Sequence, residues 1–472
     1  SKIEWSQINT ALNTSDVTIT TKNGVGGNGD ITFVDSRTTD FSNTFQSSTL
    51  TFEADRDIIV NNAIDISNIG TTKLEAGGDV IFNSDFITGD ISSDATVAGA
   101  LLVNAGDDIF VNAGVKVGID YGDAHVRLSA ANANGGLSAI EIDGQVQTQG
   151  GDVELAAQNY FVEINASGSL TTNGGDLEVE SNHGFDIDNG ATVDLNGGDA
   201  TINAPKVQLG DDIDTTGTIT GTATEVDVEN DDASIQDGVD VAASGATVNV
   251  SDGTYSENVT IDKSLTITGQ SKAGTTITPE SNTGNSGDAR GWWLVEAGAD
   301  VDISDMTFDG TGFDIWDGVR FRGQGSVDNV DVKNIRFSQY RGQGIVAYGD
   351  GAIDITNTTF ENIERIGALY FGSGVTGSIF TDNTYTGKGA GDWIDYGVEV
   401  GGGAADIQIL RNIITGNTGV ASSDGSTSAG ILISTFFGSG TSANLENNIV
   451  TGNTTGAAVG YNTADSSVVS AR

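Results

Sequence analysis

Four short loops bring carboxylates together with aromatic and guanidinium groups: DIWD at 314–317, QYR at 339–341, ER at 364–365 and DWIDY at 392–396. Two carboxyl groups at a suitable separation act as acid and base on a glycosidic bond. On that reading Asp314, Asp317, Asp392 and Asp395 are the candidate catalytic groups. Flat aromatic faces and guanidinium forks suit sugar rings and their polar groups, so Trp316, Tyr340, Arg341, Arg365, Trp393 and Tyr396 are the candidate ligand contacts. The plainer reading has the aromatics plugging the loops and the charges pairing locally. Glycan binding without catalysis is the third. The sequence leaves all three open.

The loops matter together only if the chain stacks them. Each precedes a strand that opens with Gly, the series being GVRF at 318, GIVAY at 344, GALYF at 367, GVEV at 397, GILI at 430 and GAAV at 456. A second motif keeps the same beat: VDISDMTF (301–308), VDVKNIRF (330–337), IDITNTTF (353–360), SIFTDNTY (378–385), IQILRNII (407–414) and ANLENNIV (443–450). The first half repeats differently. Phe52, Leu74, Val103, Leu128, Leu155, Val179 and Ile202 occupy one position of a unit that recurs every 22 to 29 residues, with GGD turns at Asp79, Asp152, Asp176 and Asp199. Short strands separated by Gly, Asn and Asp turns at such a period are what one coil of a parallel β-solenoid requires, because a single coil leaves its apolar face and strand edges bare. Stacked coils put the loops along one edge.

Composition fits. There are 66 Gly, 2 Pro and no Cys, and 66 acidic against 20 basic residues give a formal net charge of -46. That field repels polyanions such as nucleic acid, which is excluded as a partner. Apolar residues, at 37%, are patterned, which argues against disorder. The longest apolar cluster, ILISTFF at 431–437, is far shorter than a membrane helix needs. The chain starts at Ser1 without an initiator Met, so a mature or excised fragment is expected. Histidine occurs only at 125 and 183, which leaves the second half without an imidazole base for a Ser/His nucleophile.

Between the halves, EVDVENDDASIQDGVDVA at 225–242 carries Ile235, Val239 and Ala242 at a helical spacing, and near the start Trp5, Ile8 and Leu12 are spaced likewise. Both read as caps over open sheet ends. The domains expected are therefore a block over 1–224, an acidic junction and cap helix over 225–242, and a second block over 243–472. Glu225, Asp227, Glu229 and Asp231 alternate along the junction and are the candidate metal ligands, with calcium the candidate ion and no cofactor required. GGNGD at 26–30 is an incomplete calcium turn.

These residues carry two resemblances. NTALNTSDVTITTKNGVGGNGDITF (9–33) followed by LTFEADRDIIVNNAI resembles the exported bacterial β-helices of the filamentous-haemagglutinin type over about 3–220, without the N-P-N-G motifs of that family's secretion domain. GATVNVSDGTYSENVTIDKSLTITG (245–269) and the N-x-x-F units resemble the pectin-lyase-like right-handed β-helix superfamily over about 233–461. That superfamily includes pectate lyases, polygalacturonases and pectin methylesterases beside non-catalytic surface proteins. Methylesterases share the G-x-Y-x-E of Tyr255 and Glu257, but their QAVAL, QDTL and DFIFG motifs are absent, as is the N-T-D, D-D, G-H-G, R-I-K set of polygalacturonases. Tyr255 is then expected to pack at a turn and Glu257 to face water.

The expectation is an all-β, right-handed parallel β-helix in two consecutive blocks with short capping helices. Its expected role, leaning away from an enzyme, is that of a non-catalytic structural or adhesive protein of the bacterial cell surface or matrix. It is exported, self-associates end to end or laterally into filaments, and contacts surface glycans. The alternative is a polysaccharide-binding or polysaccharide-cleaving β-helix with a site in 290–400.

Overall fold

The computed structural model describes residues 2–22, 28–37, 45–66, 69–88, 100–120, 123–132, 136–338, 341–391, 393–420, 426–461 and 464–472. The chain is an all-β, right-handed parallel β-solenoid with two short α-helices, and it divides into compact units over Ser1–Ala243 and Ser244–Arg472.

In the first unit the coils feed three parallel ladders, and among the described residues the third has seven strands. The first ladder has nine strands. Along it Phe52, Leu74, Val103, Leu128, Leu155, Val179 and Ile202 sit side by side in register and are buried, as their spacing in the sequence predicts. The recurring Asp residues have a backbone task. Oδ1 of Asp57 accepts the amide of Asp79, and Oδ1 of Asp79 accepts that of Asp108, at 3.2 and 3.1 Å. At another corner Asp152 and Asp176 receive the amides of Asp176 and Asp199 at 2.9 and 2.8 Å. Each carboxylate thus satisfies an amide that the turn would leave bare. The preceding glycines are needed for close approach: a Cβ at Gly175 would lie 2.0 Å from the carbonyl oxygen of Gly151.

Both caps form. The helix Trp5–Leu12 buries Ile8 and Leu12, and the Trp5 ring stacks on Phe33 at 6.1 Å. The helix Ile235–Val241 buries Ile235 and Val239, and the Ser234 hydroxyl caps it by accepting the Asp237 amide at 3.1 Å.

The second unit also has three ladders. In the turn between its first and second, Asp305, Asn329, Asn357, Asp382, Arg411 and Asn447 all adopt left-handed backbone, φ 48 to 58°. This is why the repeat demands a polar residue there: Asn and Asp tolerate that conformation best. One copy of the repeat is placed differently from the sequence reading. Val332 stands beside Phe308 and Phe360, so the coil runs through Gly325 and Val327, and VDVKNIRF is out of phase with the other five copies. Gly325 presents no side chain at the first apolar position, which let the next alternating stretch mimic the motif. The Gly-initiated strands do align, forming the third ladder through Gly291–Val295, Asp317–Phe321, Gln343–Ala347, Ile366–Phe371, Tyr396–Gly401 and Ala429–Ile433. Tyr255 is 1% exposed with its hydroxyl on the Ser251 carbonyl, and Glu257 is half-buried with its carbonyl accepting the Trp292 indole N–H.

Candidate functional site

In the third ladder alternate side chains enter the core, as Val319 and Phe321 do, while the intervening ones face out under a cover of loops. The outward column runs Leu294, Arg320, Val346, Leu369, Glu399, Leu432. Two charged residues therefore stand in an otherwise apolar wall. The loops that lead into these strands come from the corner with the second ladder, and they carry most of the residues singled out from the sequence.

Trp316 is 7% exposed, its amide held by the Thr283 hydroxyl at 2.8 Å and its ring 4.8 Å from that of Phe337. The guanidinium carbons of Arg290 and Arg341 lie 4.2 and 4.8 Å from the ring centroid. The corner thus presents arginines carried on an indole rather than an open indole. Next to it Asp317, 1% exposed, holds Arg320 through a 2.7 Å bond from Nη1 to Oδ2. Burial pushes the Asp317 carboxyl up to about 6, against the pull of Arg320 and Arg290. Arg320 also lies over the Tyr348 ring at 4.7 Å, and Asp288 bridges towards it while binding Arg322 at 2.5 Å.

Asp395 is fully buried. Its Oδ1 accepts the Gly419 amide at 2.9 Å and its own amide donates to the Ser428 hydroxyl, and burial raises its carboxyl against these bonds. Asp314 is half-buried, with its amide on Asn282. Asp392 and Tyr340 lie outside the described residues. Asp317 and the strand that Asp395 precedes are three rungs apart, roughly 14 Å at a rung spacing of about 4.8 Å. The carboxyl pairs of glycosidases stand about 5–9.5 Å apart, so Asp317 and Asp395 do not serve as such a pair. Tyr396 belongs to an apolar cluster with Val346, Ile366, Leu369 and Leu432, and Trp393 packs against that cluster.

Sequence reasoning missed Glu399. It is 4% exposed, its Oε1 accepts the Tyr461 hydroxyl at 2.9 Å, and burial raises its carboxyl while Arg365 pulls it down. The available signal was the acid inside GVEV, at a position where the coils on either side carry Leu. Also missed was an aromatic row along the same wall. Tyr348, 47% exposed, stacks on Phe371 at 5.7 Å and 12°, and Phe371 meets Phe437 at 5.8 Å. Phe436 and Phe437 are each 57% exposed.

The junction acids are bound to neighbours. Glu225 and Asp227 share Lys206 at 3.2 and 2.8 Å, Glu229 accepts from Gln208, and Asp231 is exposed. A different trio, Asp79, Asp107 and Asp108, offers three oxygens within 4.8 Å of one another, a geometry open to a hard cation. In GGNGD, Gly26 and Gly27 lie outside the described residues, and Asp30 is occupied by a two-pronged bond to Arg56. Among the described residues no helix is long and apolar enough to cross a membrane.

No family model matches the chain, and no curated protein matches it. Among solved structures it is similar to a mutant of the PL6 family alginate lyase AlyGC, at 10% identity and a TM-score of 0.36 over 99% of this chain and 97% of that one. A second AlyGC structure is similar at 12% identity and a TM-score of 0.29, over 98% and 99%. The expectation of a non-catalytic structural or adhesive protein is corrected here: the similar structures are those of an alginate lyase, an enzyme that cleaves a polysaccharide, which agrees with the alternative instead.

Proposed function

We propose that the second unit binds an acidic polysaccharide along the corner and outer wall of its third ladder and cleaves it there, outside the cell. One observation carries this reading. In a chain of net charge -46, Arg290, Arg336, Arg341 and Arg365 have no carboxylate within ion-pair distance among the described residues, and all four lie on segments of one corner. Arginines elsewhere, such as Arg56, Arg127 and Arg411, are each paired. Unpaired guanidinium forks suit the carboxylates of a uronate polymer. The exposed Tyr348 and Phe437 faces on the same wall, with the half-buried Phe371 between them, suit its sugar rings.

The spacing of Asp317 and Asp395 argues against hydrolysis by that pair, and a uronate polymer offers elimination as the other route. There a base takes the hydrogen next to the uronate carboxylate, its electrons form the new double bond, and the glycosidic C–O bond breaks with its oxygen taking up a proton. A guanidinium that neutralises the carboxylate stabilises the charge that develops.

Alginate, the polymer named for the two similar structures, is the first substrate to offer, beside polygalacturonate and a neutral glucan. The expected result is salt-sensitive binding of the two acidic polymers and unsaturated products absorbing in the ultraviolet, both weakened in Arg365→Ala. Products with new reducing ends but no unsaturation would replace elimination by hydrolysis. No retention of any acidic polymer at low salt would end the reading.

A further inference from the structure

We propose that Arg290 and Arg341, carried on Trp316, form a two-point clamp that selects polyanionic sugar chains with carboxylates repeating every second rung. The inference rests on the reading of an acidic polysaccharide along this wall and adds what chooses among such polymers.

The loops holding Arg290, Trp316 and Arg341 belong to three successive coils, so the two arginines approach the indole from below and above. The centroid distances of 4.2 and 4.8 Å set their guanidinium carbons no more than about 9 Å apart, close to the two-rung separation of roughly 9–10 Å. Each part of the clamp is fixed. Trp316 is pinned by Thr283 and Phe337, the Arg290 Nε donates to the Asn285 carbonyl at 3.2 Å, and the Arg341 amide donates to the Phe337 carbonyl at 3.0 Å. A guanidinium lying flat on an indole keeps its Nη groups in its own plane, free for an incoming carboxylate. Neither arginine has an acidic partner among the described residues. Asp317, the carboxylate nearest in effect to Arg290, is taken by Arg320.

In an extended two-fold sugar chain, alternate residues direct their acid groups to the same side. Such a chain laid along the solenoid axis offers one carboxylate to Arg290 and the next on that side to Arg341. A chain with half its acids esterified offers both far less often.

The test measures equilibrium binding of full-length protein to polygalacturonate oligomers of one length, either fully de-esterified or half methyl-esterified, at fixed salt. Wild type, Arg341→Ala, Arg341→Gln, Arg341→Lys and Arg290→Ala are compared, each with its melting temperature. The wild type is expected to prefer the de-esterified oligomer by about tenfold, the worth of one charge-assisted contact. Arg341→Ala and Arg341→Gln should lose about that factor on the de-esterified oligomer and bind both oligomers alike, while Arg341→Lys recovers part of the affinity. Arg290→Ala should do the same, with Arg341 the cleaner probe because Arg290 also faces Asp317. If the Arg341 variants keep wild-type affinity and preference while Arg365→Ala loses binding, the clamp is wrong and the wall reading stands. If the wild type binds neither oligomer, the clamp falls, and the wall reading falls with it when alginate is not retained at low salt either.

Discussion

The two units stack charge in opposite ways. On the outer face of the first unit, Glu141, Glu163 and Asp186 stand in register on consecutive coils. Burial raises all three carboxyls. The Glu163 charge lifts Glu141 further, and Glu229, Asp188 and Glu163 help carry Asp186 to about 6. At the corner of the second unit, Arg290 and Arg341 belong to alternate coils with an indole between them. A parallel solenoid places equivalent positions about 4.8 Å apart. Like charges at that distance must shed charge or be held strained; at twice the distance, with an aromatic spacer, they keep it. The acid column thus reads as a tolerated burden and the arginine corner as a prepared surface.

The largest effect expected from this contrast lies inside the corner. Asp317→Ala leaves Arg320 buried without its hydrogen-bonded partner, with only the 3.8 Å approach of Asp288 remaining. Breaking a buried pair on one side costs about 3–5 kcal/mol. Urea unfolding followed by tryptophan fluorescence reports on the second unit, which holds four of the five tryptophans. Arg341→Ala, whose side chain is exposed, should change that stability by no more than about 0.5 kcal/mol. Equal losses in the two variants would erase the distinction between a structural arginine and one held for a ligand.

The acid column gives the next effect. Asp186 holds its proton to about 6 in the fold against 3.8 ordinarily. Between those values the native state binds a proton that the unfolded chain has lost, so stability is greatest below about pH 4, falls as the pH rises through 6, and levels off above. A gap of that width between the folded and unfolded chains is worth at most about 3 kcal/mol, and partial solvent exposure reduces this to about 2. Asp186→Asn should raise the stability of the first unit by that amount at pH 7 and leave it unchanged at pH 3.5, measured by circular dichroism melts. A variant without gain at pH 7 would mean that the column is relieved some other way.

Much of the fold was legible because a solenoid writes its register into the sequence. Phe52 to Ile202 align by spacing alone, and a repeat period needs no distant information. The phase failed at VDVKNIRF because Gly325 leaves no apolar mark. The site was legible only in part. Trp316 and Arg341 meet because adjacent coils bring them together. Glu399 meets Tyr461 across 62 residues, and Phe371 meets Phe437 two coils on, through loops whose course over the wall no periodicity predicts. Their burial is the missing information: an acid in GVEV reads as solvated until its cover is known.

Ionic strength gives the smallest effect and the sharpest test of sign. Between 0.05 and 0.5 M salt the Debye length falls from well above to about the spacing of the acid column, the reference being about 10 Å at 0.1 M. Screening should therefore stabilise the first unit by a few tenths of a kcal/mol, and Asp186→Asn should remove part of that gain. Over the same range the corner should lose affinity for an acidic polymer, because the guanidinium groups attract what the salt shields. Melts and binding titrations in one salt series separate the two. If both respond in the same direction, the corner is behaving like the column, as one more crowded set of charges, and its arginines are not poised for a polyanion.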